Sequence, residues 1–125
     1  MSWIRLDDDF GDHPKLVAAG PLACLLHVRA LVYCGRHMTD GRIPRNIIGS
    51  LVDWATDGVS EGKTGEPPNN YELAERLVAA GLWERDGTGY VIHDYLEYNP
   101  SRAKILEERA KTAERVRRHR NGVTT

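Results

Sequence analysis

The densest cluster of residues that could do chemistry lies at the end of the chain, where cations recur along a helical pattern. Residues 101–125 hold eight Lys and Arg against three Asp and Glu, a net +5, whereas residues 1–100 hold nine against fifteen, a net −6. Clustered long cations neutralise phosphates and release counterions, so the tail predicts a DNA-binding arm. Its candidate DNA-binding residues are Arg102, Lys104, Arg109, Lys111, Arg115, Arg117, Arg118 and Arg120.

Two other interpretations of the tail are compatible with the same residues. A solvated helix would pair Glu107 with Lys111 and Glu114 with Arg118 at i,i+4 spacing, and would contact no partner. A dimerising helix would instead bury a thin apolar stripe, formed by Leu106, Ala110 and Ala113. The sequence leaves all three open, together with the possibility that the tail packs on an acidic body.

The rest of the chain offers fewer candidate DNA contacts, at the starts of two predicted helices and in a predicted hairpin. Two carboxylates, Glu72 and Glu75, share the exposed face of the third predicted helix, and this disfavours deep reading of the major groove. Asn70 has a second role open to it, because asparagine often caps a helix N-terminus. The candidates are Arg42, Arg45 and Asn46 at the second helix, Asn70, Tyr71 and Arg76 at the third, and Arg85 in the hairpin.

Two Cys-x-x-His pairs, Cys24 with His27 and Cys34 with His37, have the residue types of a zinc site. The two cysteines fall on one predicted helix about 15 Å apart, too far for a shared metal or a disulfide. We therefore expect no metal site and no cofactor.

Catalytic patterns are also weak. The aspartates at 7–9 are consecutive, so their side chains diverge. His93 and Asp94 are neighbours on a predicted strand and point to opposite faces. The glycines at 58, 62 and 65 lack the strand-to-helix context of a nucleotide-binding loop. We expect a protein that is not an enzyme.

The elements that position these residues follow from periodicity and from turn residues. Helical spacing over 15–36 is interrupted at Gly20-Pro21, and Pro14 favours a helix start. The Asp86-Gly87-Thr88-Gly89 sequence predicts a hairpin turn in which both glycines supply a positive φ. The expected order is a helix over 15–36, a short extended piece at 42–44, a helix over 45–55, a flexible loop over 56–70, a helix from 71, strands over 82–85 and 90–95, and a helix over 102–120. One core should contain Leu22, Leu25, Leu26, Leu73, Leu77, Trp83 and Val91.

That order predicts a mainly α fold with a small β-hairpin: a winged helix-turn-helix over residues 1–100, followed by a basic C-terminal helix or tail over 101–125. The segments from Trp3 to Leu16, from His37 to Pro44 and from Leu77 to Arg102 resemble the small winged-helix DNA-binding proteins of actinobacterial phages and prophages, described as replication-initiation or replisome-organiser-like. The resemblance implies DNA binding in replication or its control. It covers most of the chain outside the 56–70 loop and names no site residue.

Composition agrees with one globular domain, since 41% of the 125 residues are hydrophobic and 28% are charged. The chain lacks an apolar run near the roughly 20 residues that span a bilayer, and its start lacks a signal-peptide pattern. We expect a cytoplasmic protein with DNA as its partner. The alternative is a winged-helix module that binds another copy, or a host or phage replication or transcription protein, without strong DNA binding.

Overall fold

The computed structural model of the protein describes residues 4–6, 8–55 and 65–123. Within these ranges the fold is mainly helical with one small antiparallel sheet, as the sequence predicts. A short 3-10 helix at Phe10–Asp12 precedes the regular elements. These are α1 (Pro14–Ala19), α2 (Pro21–His37), β1 (Arg42–Ile43), α3 (Arg45–Leu51), α4 (Asn70–Ala79), β2 (Trp83–Asp86), β3 (Gly89–Ile92), α5 (Tyr95–Tyr98) and α6 (Arg102–Val123).

Two prolines divide the first helical segment, and the predicted break is confirmed. Pro14 begins α1, where the His13 ring accepts the Lys15 backbone N–H through Nδ1 at 3.2 Å. Gly20 then adopts φ +93°, a left-handed conformation that favours glycine, and Pro21 begins α2. Proline is well tolerated at the first helical position, because the N–H that it lacks has no partner there.

The three short strands form a sheet in the order β1-β3-β2, with both pairs antiparallel. Gly87 turns the hairpin with φ +60°, whereas the positive φ predicted for Gly89 is wrong. Glycine is required at 89 for space: a Cβ there would collide with the Ile43 carbonyl oxygen of β1. The hairpin is thus held against the segment that links α2 to α3.

The core lies between α2, α4 and the inner face of the sheet. Leu26, Leu73, Leu77 and Trp83 are almost wholly buried there, and Leu22 packs partly buried against them. The prediction is wrong for Leu25, which is 41% exposed on the outer side of α2. Val91 is also not a core residue: it is half-buried, because alternate residues of β3 face opposite sides and Tyr90 and Ile92 take the inner positions.

Several predicted boundaries differ from the structure. Helix α2 continues through Gly35 to His37, and α3 ends at Leu51 rather than near 55. Residues Tyr95–Tyr98 form the short helix α5 where a strand end was predicted, because β3 stops at Ile92 and Asp94 turns the chain with φ +61°.

Most of the predicted flexible loop, residues 56–64, lies outside the described residues. Residues 65–69 are in neither helix nor strand, and Asn70 already belongs to α4. The division into a domain at 1–100 and a tail at 101–125 stays a prediction. No helix in the described ranges is both long enough and apolar enough to cross a membrane.

Candidate nucleic-acid interface

Helix α6 is attached to the body at its first turn by two oxygens. The Ser101 hydroxyl accepts the Lys104 backbone N–H at 3.1 Å, the hydrogen bond of an N-cap. The Asp40 Oδ1, from the turn before β1, accepts the Arg102 backbone N–H at 2.6 Å. A carboxylate at a helix N-terminus also interacts favourably with the helix dipole. The start of α6 is therefore joined to the loop that leads into the sheet.

A buried asparagine reinforces this junction just before α6. Asn99 is 6% exposed, and its Oδ1 accepts the Arg5 backbone N–H at 3.2 Å. Its Nδ2 donates to the Tyr95 carbonyl oxygen at 3.4 Å. The N-terminal segment, α5 and the start of α6 thus meet at one residue.

Beyond its first turn, α6 is an exposed helix. Its 22 residues extend over about 33 Å at the standard helical rise, and no other described element packs extensively along it. All eight of its Lys and Arg side chains are exposed. The helix therefore offers its cations to solvent along its whole length.

The cations of α6 divide into a paired set and an unpaired set. Lys111 contacts Glu107 at 3.1 Å, while Arg117 and Arg118 contact Glu114 at 2.7 and 3.1 Å. The two predicted i,i+4 pairs are confirmed, and such exposed pairs contribute only about 0.3–0.5 kcal/mol each. Five cations have no carboxylate within 4.0 Å in the described part of the chain: Arg102, Lys104, Arg109, Arg115 and Arg120.

Four of the eight α6 cations lie on the side of the helix opposite its apolar residues. At 100° per residue, four cations fall within an arc of about 60°. The apolar residues Leu106, Ala113 and Val116 lie on the far side, where Leu106 is 43% and Val116 is 48% exposed. Ala110, predicted as part of this stripe, lies off its centre. The cationic face consists of Lys104, Lys111, Arg115 and Arg118.

The hairpin cation predicted to contact DNA is paired with a carboxylate on the surface of the body. Arg85 forms a salt bridge with Glu75 of α4, and the Tyr90 hydroxyl donates to the same carboxylate at 2.9 Å. The Arg85 hydrogen bond, followed by that of Tyr90, lowers the pKa of Glu75 and holds it ionised. Arg42 similarly contacts Asp86 at the hairpin turn, at 3.6 Å. The Glu75 carboxylate expected to repel DNA is therefore partly neutralised. Arg85, its partner, is in turn less available to DNA phosphates.

A stacked pair marks the surface where α3 and α4 meet. The Arg45 guanidinium lies 5.2 Å from the centre of the Tyr71 ring, a cation–π distance that gathers charge and aromatic surface at one place. Arg76 and Asn69 line the same open groove, together with Glu72. Asn46 is exposed beside Arg45 at the start of α3. Of the DNA contacts predicted outside the tail, Arg45, Asn46, Tyr71 and Arg76 therefore lie together on the surface.

The two roles predicted for Asn70, as a helix cap and as a DNA contact, are both wrong. Asn69 is the N-cap of α4, with its Oδ1 accepting the Tyr71 backbone N–H at 2.9 Å. The Asn70 side chain is buried, where its Oδ1 accepts the Trp54 indole N–H and its Nδ2 donates to the carbonyls of Ile48 and Val52. Its amide joins α4 to the end of α3 and cannot reach DNA.

The four Cys-x-x-His residues lie on α2, and the prediction that the two cysteines share one helix is confirmed. Cys34 is buried, and burial raises the pKa of its thiol to about 11, so that it stays protonated. His27 is buried as well, with Nδ1 accepting the Trp83 indole N–H at 2.9 Å. In the ranges that the structure describes, no three His, Cys, Asp or Glu side chains are grouped closely enough to hold a metal ion.

Two structural links were not predicted, the Asp40 hydrogen bond to α6 and the His27–Trp83 hydrogen bond. A signal for Asp40 was present in Thr39-Asp40-Gly41, since Asp before Gly tolerates the left-handed conformation, here φ +57°, that aims the carboxylate. The His27–Trp83 bond joins residues 56 positions apart and has no local signal.

No protein-family model, curated protein or solved structure matches the chain.

Proposed function

We propose that the protein binds double-stranded DNA through helix α6, and that the body is a winged helix which adds a second, weaker contact. The observation that supports this proposal most is the set of five exposed α6 cations without a carboxylate partner among the described residues. Phosphates are the ligands that such cations accommodate best, and each neutralised phosphate releases counterions. The resemblance noted in the sequence adds that this binding serves the control of replication initiation of the phage type.

The order of elements in the body supports the winged-helix assignment. Helices α2, α3 and α4 surround a sheet in the order β1-β3-β2, with β1 between the first two of these helices and the hairpin after the third. In this arrangement α4 takes the place of the recognition helix and β2–β3 that of the wing. The wing is short, with a two-residue turn at Gly87-Thr88, and its Arg85 is paired with Glu75.

The second DNA contact is therefore the surface of Arg45, Tyr71 and Arg76 rather than the wing tip. Guanidinium and phenol groups at the exposed ends of two helices can donate to phosphate oxygens. Glu72, on the same groove, limits how closely a polyanion approaches. We expect this surface to modulate sequence preference while α6 supplies most of the affinity.

The competing function is protein binding through α6. The exposed stripe of Leu106, Ala113 and Val116 could pair with an apolar partner helix or with a second copy. The arrangement of charge argues against this function. At 100° per residue, Arg109 and Arg120 project on the same side of the helix as the stripe. Two such helices side by side would bring like charges together.

Fluorescence anisotropy with a labelled duplex of random sequence separates the two functions. We expect the full chain to bind at low salt and to lose affinity steeply as salt rises, since counterion release drives binding. Val116→Gln, which changes the apolar stripe without changing charge, should bind the duplex as the unaltered chain does. Absence of binding at low salt, or a sedimentation shift that Val116→Gln abolishes, would favour the protein-binding function instead.

A further inference from the structure

A cavity separate from α6 lies between the N-terminal segment, α2 and the end of β3. Its volume is about 320 Å³, roughly the space of ten water molecules in the liquid. That lies within the range of cavities that hold small organic ligands. Most of its wall is apolar and comes from distant parts of the chain: Phe10, Leu16, Leu31, Leu82 and Ile92.

Among the polar side chains that line the cavity, His27 is buried and held in place by its neighbours. His27 is 6% exposed, and the Phe10 ring stacks on it at 5.9 Å with 14° between the planes. Its Nδ1 accepts the Trp83 indole N–H at 2.9 Å, so in the neutral imidazole the proton must be on Nε2. The ring therefore has one fixed acceptor and one fixed donor.

The Nε2 donor of His27 has no hydrogen-bond partner among the described residues. The one buried polar side-chain atom in those ranges that lacks both a partner and solvent contact is Thr39 Oγ1. Nε2 consequently retains access to the cavity that His27 lines. Burial also lowers the pKa of His27 to about 4, so near neutral pH the group is an uncharged N–H donor.

Two cations and two carboxylates line the cavity, and the two cations are available to an anion. Arg5 and Lys15 line it, and neither has a carboxylate within 4.0 Å in the described parts of the chain. Lys15 extends over Gly81, where a Cβ would come within 3.6 Å of its ammonium. Of the two carboxylates at the mouth, Asp94 contacts His93 at 3.2 Å, and Asp9 is engaged as well.

We propose that this cavity binds a small carboxylic acid with an apolar body. Its hydrocarbon part lies against Phe10 and the leucine walls, and an oxygen accepts the His27 Nε2–H. Arg5 and Lys15 balance the negative charge. The site is independent of the DNA-binding surface, since none of these residues belongs to α6 or to the groove at Arg45.

Benzoate is a suitable probe, with the full chain followed by the NMR signals of the indole N–H groups. The Trp83 signal reports on the cavity, because its N–H is bonded to His27. The Trp54 signal is an internal control, because its N–H is bonded to Asn70 on another side of the core. We expect saturable benzoate shifts at Trp83 and none at Trp54, with weaker binding of benzyl alcohol and the weakest of benzylamine.

Three variants test the residues of the site, and a fourth is the control. His27→Phe removes the donor and should weaken benzoate binding about tenfold or more, whereas His27→Gln, which retains a donor and an acceptor, should weaken it less. Lys15→Gln should weaken binding about twofold to fivefold. Arg36→Gln, which removes an exposed cation elsewhere on α2, should have no effect.

The proposal is overturned if Trp83 shows no saturable shift, if benzylamine binds as well as benzoate, or if Lys15→Gln binds like the unaltered chain. Equal losses from Arg36→Gln and Lys15→Gln would also overturn it, since they would reveal general attraction of an anion. If His27→Phe does not fold, the double variant of Arg5→Gln and Lys15→Gln decides, and full retention of binding refutes the site.

Discussion

Asp40 and Arg102, 62 residues apart, are joined where α6 begins: the Asp40 Oδ1 accepts the Arg102 backbone N–H at 2.6 Å. This hydrogen bond sets the direction in which α6 leaves the body, because it ties the first turn of the helix to the chain just before β1. A basic segment without such a link would be a flexible tail. Here the cations of α6 are presented on a helix with a defined attachment.

Removing the Asp40 carboxylate should loosen the first turn of α6. Asp40→Gly accepts the positive φ at this position without strain and loses the hydrogen bond, whereas Asp40→Asn keeps both an acceptor oxygen and tolerance of that φ. An N-terminal cap contributes about 1 kcal/mol, so hydrogen exchange at residues 102–105 should become about fivefold faster in Asp40→Gly. Equal exchange in the two variants would show that the link does not hold α6.

The neighbouring asparagines of α4 should differ sharply in their contribution to stability. Asn70→Ala leaves the Trp54 N–H and two buried carbonyls without partners, so we expect the free energy of unfolding to fall by about 3 kcal/mol. Asn69→Ala removes a surface cap and should cost about 1 kcal/mol. Urea unfolding of both variants measures the difference, and a larger loss in Asn69→Ala would refute the assignment.

The salt bridge between Glu75 and Arg85 should restrain DNA binding. Glu75→Gln removes a carboxylate from the exposed side of α4 and releases the Arg85 guanidinium, so affinity for duplex DNA should rise. Glu72→Gln removes the same charge one turn earlier without releasing Arg85, and is the matched control. If the two variants bind DNA equally, the release of Arg85 plays no part.

Glu75 should also leave a pH signature. Since folding lowers the pKa of Glu75, its stabilising contribution is complete above its usual value of 4.5 and disappears as pH falls through the lowered value. The stability difference between the unaltered chain and Glu75→Gln should therefore shrink below pH 4.5. Urea unfolding over a pH series checks this, and a difference that is constant down to pH 2 would contradict it.

His27 should make folding sensitive to mild acid. Its pKa is lowered from 6.5 to about 4 by burial, so the unfolded chain takes up the proton first, and stability is complete above pH 6.5 and falls below it. A single group with this shift removes about 3 kcal/mol between pH 7 and pH 4. The unaltered chain should lose more stability over this pH range than His27→Gln, which does not titrate, and the difference should follow the titration of a single group. Parallel pH profiles for the two proteins would rule it out.

Local sequence signals predicted most of the fold. Pro14, Gly20-Pro21 and the glycine-containing hairpin turn each act within a few residues, and the corresponding helix starts and the turn are where they were expected. The errors occur where contacts with residues distant in sequence determine the position of a side chain. Asn70 has the composition of a cap, but the carbonyls that end α3 and the Trp54 indole draw its side chain inward.

The candidate site divides in the same way. The charge of α6 and its two i,i+4 pairs are visible in the sequence, because they depend on spacing along one helix. The pairing of Arg85 with Glu75 depends on how the hairpin packs against α4, and no spacing rule gives it. The cavity at His27 likewise forms from five separate segments, so its residues have no common pattern in the sequence.

The most direct test of DNA binding by α6 compares how duplex affinity depends on salt in two charge variants. One replaces three of the five unpaired cations, Lys104, Arg109 and Arg115, by Gln; the matched control replaces the three paired cations, Lys111, Arg117 and Arg118. We expect the first set to weaken binding to all sequences alike and to flatten the plot of log affinity against log salt by about 0.9 per lost phosphate contact. The control should change the slope less, since its cations already neutralise carboxylates. An unchanged slope and affinity in the first variant would contradict DNA binding by α6.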